Sequence, residues 1–173
     1  VNGRAAARWR LAVTAGLAAY GIYHVLRPSH YGLLGHVDLA IHETGHLVFA
    51  PFGEFLGYAG GTLLQLLLPC AFVWYFHRRG DPFGAAVSLW WVAQNLWNVA
   101  TYVGDARAQE LPLVGGGDHD WAYLLDALGW LERDRTLAQV VRIGGIVVFV
   151  VAIVRALAHS GARSAEPEVA SDT

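Results

Sequence analysis

The stretch FLGYAGGTLLQLLLPCAFVWYF, residues 55–76, runs for 22 residues without a formal charge. As a helix rising 1.5 Å per residue it reaches roughly 33 Å, enough for a hydrocarbon core of about 30 Å. A second uncharged run of 22 residues, FGAAVSLWWVAQNLWNVATYVG, occupies 83–104. Between them His77-Arg78-Arg79-Gly80-Asp81-Pro82 reads as a short polar hairpin turn. Thr136 to Val154 is apolar apart from Arg142, and its length favours a membrane helix over a buried strand. Leu11 to Tyr23 follows Arg4, Arg8 and Arg10; a signal peptide has that pattern, but the apolar character continues through Leu26, as in a retained helix. The expected fold is therefore all-α: a polytopic membrane helix bundle of four to five membrane segments. Helices are expected over about 9–27, 35–50, 56–78, 83–105, 120–132 and 136–160. Residues 1–160 form one domain, and 161–173 a mobile polar tail.

Composition agrees. Of 173 residues, 55% are hydrophobic and 15% charged, against about 25% charged in soluble domains. A net charge of −2 gives no reason to expect nucleic-acid binding, and the single cysteine, Cys70, excludes a disulfide framework or a multi-cysteine metal site. All basic residues are arginines. Whether 32–50 spans the bilayer or re-enters on one side, seven of the twelve fall on the N-terminal side, which favours a cytoplasmic N-terminus. A bacterial cytoplasmic membrane is the expected location.

The segment 32–50 breaks the apolar pattern with His36, Asp38, His42, Glu43 and His46. A carboxylate at the bilayer centre costs about 2.5–3.5 kcal/mol, so these residues should face protein or water. His42-Glu43-Thr44-Gly45-His46 matches HExxH. On a helix the two imidazoles stand one turn apart on one face and can share a Zn²⁺, with Glu43 placed as general base toward a water. A chance occurrence in this composition is about one in eighty, and packed histidines are the plain alternative. Neighbouring segments carry matching polar stripes: Asp38, His42 and His46; Tyr58, Thr62, Gln65 and Pro69; Asn95, Asn98, Tyr102 and Asp105. Lipid cannot satisfy such stripes, so they should face one another, either around a polar cavity or as hydrogen-bonding glue between helices.

Catalytic zinc takes three protein ligands and a water. The third is expected from His119 or Asp105. Asp120 is read as a helix N-cap, or as a carboxylate orienting His119. The piece 105–135 holds seven of the fourteen acidic residues and is read as extramembrane. Within it, 111–117 forms a tight irregular loop. Trp121, Leu124, Leu125, Leu128 and Leu131 then make one apolar stripe of a short interfacial helix.

With these residues in view, the chain resembles the intramembrane site-two metalloproteases. His42, Glu43 and His46 match that family's membrane HExxH; Gly60, Gly61 and Gln65 resemble its glycine-bearing polar segment; Asp105 could match its aspartate ligand, though here glycine precedes the aspartate. The resemblance implies Zn²⁺ and hydrolysis of a membrane-protein substrate in or near the lipid bilayer. The alternative is a small accessory subunit of a larger membrane complex, with a non-catalytic metal site.

Overall fold

The computed structural model describes residues 3–27, 33–113 and 118–161. His30, the triple glycine 115–117 and the polar tail from 162 onward lie outside the described residues. Among those described, the chain is all-helical with no strand. Six α-helices follow in order: α1 (Gly3–Leu26), α2 (Leu33–Phe49), α3 (Glu54–Arg78), α4 (Pro82–Gly104), α5 (Asp120–Ala127) and α6 (Asp134–Ser160).

Local chemistry sets the turns. The hairpin between α3 and α4 closes at Gly80, whose φ of 69° suits glycine. Asp81 then caps α4 by accepting from the Gly84 amide at 2.9 Å, and Pro82 follows at the first helical position. The amphipathic helix ends earlier than its stripe suggested. Gly129 sits at φ 68°, and the Trp130 amide reaches back to the Leu125 carbonyl at 2.7 Å. That is a Schellman stop, so α5 ends at Ala127 and Leu128 is left 51% exposed.

The most enclosed helix is α4, which packs on α6, α3 and α1, while α2 lies along α3. Val99, Val103, Ala106, Leu125 and Ala138 form the core where α4, α5 and α6 meet. Small residues set the spacing: the indole of Trp97 sits over Gly145, and the ring of Phe149 over Gly21. Between α2 and α3 the backbones nearly touch. A Cβ on Gly45 would lie 2.2 Å from the Gly60 carbonyl oxygen, so only glycine allows this approach.

Two helices, α3 and α6, are long and apolar enough to cross a membrane. Only 28% and 22% of their apolar windows are buried, where the core helix of a soluble protein is mostly buried. Val140, Ile143, Val147, Val150, Val154 and Leu157 form an exposed apolar face on α6. The expected span at 83–104 forms as α4, but its apolar surface is interrupted by buried Gln94 and Asn95.

Candidate metal centre

His42 and His46 lie on one face of α2 with ring centroids 4.8 Å apart. Each ring is fixed by its Nδ1. His42 Nδ1 is 3.1 Å from Gln65 Oε1, and His46 Nδ1 is 2.8 Å from the Gly57 carbonyl oxygen. A carbonyl only accepts, so each Nδ1 carries a proton, and each Nε2 is turned to the opposite side. Both Nε2 atoms meet one oxygen: Asp120 Oδ2 lies 2.9 Å from His42 Nε2 and 3.3 Å from His46 Nε2, and the hydrogen bond to Asp120 pushes the His46 imidazolium pKa up to about 9. The Tyr102 hydroxyl donates to the same oxygen at 3.2 Å, and accepts from the Asp120 amide at 3.2 Å.

The arrangement depends on absent side chains as well as present ones. A Cβ on Gly61 would fall 2.4 Å from His42 Nε2, so the imidazole occupies space that only glycine leaves. His42 and Asp120 are buried, and His46 is half-buried. Glu43 is exposed on α2, near enough for its charge to act on His46 and Tyr102. Burial pushes the Asp120 carboxyl up, but the contacts from His42 and His46 outweigh it and hold the group down at about 2.

The carboxylate brought to the histidines is thus Asp120. The two residues expected to supply a third ligand pair with each other. His119 Nε2 is 3.4 Å from Asp105 Oδ2, and burial pushes the His119 imidazolium pKa down. His119 caps α5, its Nδ1 accepting from the Ala122 amide at 3.3 Å, which leaves Asp120 free to turn inward. Asp105 closes the segment after α4 by accepting from the Glu110 and Leu111 amides, both at 3.0 Å.

The polar stripes meet only in part at the histidines. Gln65 and Tyr102 reach the centre. Asn98 instead donates to Asp38 at 3.0 Å, and Asn95 donates to the Trp91 carbonyl of its own helix at 2.9 Å. Thr62 accepts from the Trp121 indole at 3.2 Å and Tyr58 donates to Asp118 at 3.1 Å, so both fasten the α5 region to α3.

His42, His46 and Asp120 form a group that could hold a metal ion, each offering one ligand atom, all within 4.8 Å of one another. Tetrahedral Zn²⁺ with bonds of about 2.0–2.2 Å would set its ligand atoms roughly 3.3–3.6 Å apart. The contacts to Asp120 need to open by at most a few tenths of an ångström, and the chemistry of the donors suits such an ion. Comparison of the chain with family models, curated proteins and solved structures finds no match.

Proposed function

We propose that this chain is a membrane-embedded, metal-dependent hydrolase of metalloprotease type, with His42, His46 and Asp120 holding Zn²⁺ and Glu43 acting as general base. The observation that carries the reading is the convergence on one point of two imidazole nitrogens and a carboxylate oxygen. In the metal-free chain an Nε2 proton bridges these groups, and a divalent cation would take that proton's place. Each histidine already has a partner on its other nitrogen, as a metal-ligating imidazole does.

Zn²⁺ bound there would supply a water of lowered pKa and polarise a substrate carbonyl. The protein's residues do the rest. Glu43 adjoins a ligand without facing the other two, so its carboxylate is free to take a proton from the attacking water and return it to the leaving amine. Tyr102 holds Asp120 by its side chain and its backbone amide, which fixes the carboxylate against the pair. Non-haem iron also uses two histidines and one carboxylate. The carboxylate directly after His42 favours hydrolysis, since HExxH chemistry requires that base.

The bilayer reading extends beyond α3 and α6 in this proposal. With α1 and α4 beside them, four helices cross, and α5 caps the end where the metal sits. The exposed apolar residues of α1, among them Trp9, Ile22 and Leu26, suit lipid contact.

The test combines metal content with turnover on a transmembrane peptide substrate in proteoliposomes. Glu43→Gln should keep Zn²⁺ and lose roughly 10²–10⁴-fold in rate. His46→Ala and Asp120→Ala should lose the metal. A wild-type protein that takes up no Zn²⁺ in equilibrium dialysis would refute the proposal. Zn²⁺ uptake with hydrolysis insensitive to Glu43→Gln would refute its catalytic half.

A further inference from the structure

Asp38 is fully buried, one helical turn before His42 on α2. Its carboxylate is met from a single face of α4. The Trp91 indole donates to Oδ1 at 2.9 Å and the Asn98 amide to Oδ2 at 3.0 Å, with the side chains of Gln94 and Asn95 also facing it. Positions 91, 94, 95 and 98 are a continuous helical stripe, so the cradle is built by one element. Among the described residues no cationic side chain is ion-paired with Asp38. Burial pushes the Asp38 carboxyl up, and the uncharged N–H donors of α4 oppose that rise by favouring the anion.

A buried anion without a countercharge is costly, and such residues in apolar surroundings are seldom incidental. The charge count at the neighbouring centre supplies a reason. Two neutral imidazoles and one carboxylate leave a divalent cation with a net charge of +1. Glu43 is exposed, where solvent screens its charge, so among the buried groups it is Asp38 that would bring the assembly to zero. Asp38 stands about 6 Å along the helix axis from His42 and about 12 Å from His46, close enough for its charge to act on a cation held there. Its polar partners all lie on α4, so it can neither swing into the site nor serve as a fourth ligand without leaving its cradle.

We infer that Asp38 is the charge-compensating residue for a divalent cation at His42, His46 and Asp120, acting through its field rather than by contact. The inference rests on the metal-site reading and adds a residue to it. At an effective dielectric constant of about 20, loss of this charge should weaken divalent-cation binding by about 10- to 100-fold. A residue that only anchored α2 to α4 would behave differently. Its neutralisation would lower the stability of the metal-free protein and leave metal affinity alone.

The experiment measures Zn²⁺ affinity by chelator competition, and thermal unfolding of the metal-free protein, on the full chain in detergent or nanodiscs. Asp38→Asn should weaken Zn²⁺ by 10- to 100-fold while the metal-free midpoint stays level or rises, because a neutral amide is cheaper to bury. Trp91→Phe removes one donor and keeps most of the packing, and it should weaken Zn²⁺ severalfold; it carries the test if Asp38→Asn does not fold. Zn²⁺ affinity within twofold of wild type in both variants would overturn the inference while leaving the metal site intact. A wild-type chain that binds no Zn²⁺ would overturn both.

Discussion

One methyl group at Gly61 should empty the metal centre while the bundle stays folded. A Cβ there would lie 2.4 Å from His42 Nε2 and 2.6 Å from Cδ2 and Cε1. Non-bonded heavy atoms settle at about 3.5–4.0 Å, so the ring must retreat by roughly 1 Å. It cannot do so in place, because Gln65 holds Nδ1 at 3.1 Å and Asp120 meets Nε2 at 2.9 Å. Retreat gives up both contacts. One hydrogen bond between neutral groups and one to a carboxylate together contribute about 2–4 kcal/mol. That loss reduces stability without abolishing folding, since the Gly45–Gly60 backbone contact is untouched. The effect on metal is larger. Changes to groups that merely orient a ligand cost about 10- to 100-fold in affinity, so displacing a ligand itself should exceed 100-fold. The assay pairs Zn²⁺ dialysis with thermal unfolding for Gly61→Ala and a Gly144→Ala control. Gly144 has nothing near its would-be Cβ, and alanine there should stabilise the helix slightly. Wild-type Zn²⁺ affinity in Gly61→Ala would refute the placement of His42.

Asp105→Asn keeps the size of the side chain but weakens its hold on two amides and on His119. Faster hydrogen exchange at Glu110 and Leu111 should accompany a stability loss of about 1–3 kcal/mol. The metal-free protein should lose stability in acid through Asp120. Its folded pKa is depressed to about 2, so the contribution is fully present above the unfolded value of about 3.9 and fades as pH falls through 2. It amounts to about 2 kcal/mol, and acid titrations of Asp120→Asn should lack it. Adding Zn²⁺ at about 100 times its dissociation constant should stabilise the wild type by about 2.7 kcal/mol, reversed by chelator and absent in His46→Ala.

Long uncharged runs made α3, α4 and α6 readable, because length and the lack of charge are properties of the chain alone. The short amphipathic helix α5 was readable in its start and not in its end. Its stripe continues to Leu131, but Gly129 takes a left-handed conformation that stops the helix, and a glycine after an apolar run was the available signal. His42, Glu43 and His46 lie within one local motif. The carboxylate that joins them does not. Between Asp105 and Asp120 no periodicity carries register across the connection, and Asp118-His119-Asp120 presents three candidates in a row. Preference for aspartate at helix N-caps pointed to Asp120 as the cap. In the structure the histidine caps, and that one-residue shift turns Asp120 toward the imidazoles. The stripe that holds Tyr102 did place it opposite α2, while Asn98, one turn earlier, serves Asp38.

The wide spacing of the three metal-facing residues along the chain also bears on how the centre comes into being. Gly57 and Gln65, which set the tautomers of the two imidazoles, follow their histidines by 11 and 23 positions, whereas Asp120 follows His42 by 78. At synthesis rates of about 5–20 residues per second, Asp120 emerges roughly 4–16 s after His42. During that interval the nascent chain can hold two oriented nitrogens and no carboxylate. A cation captured then has two protein ligands and is easily lost. The three-residue group is complete only once α4 has been made and the capped start of α5 has docked, so it forms after most of the helices are in place.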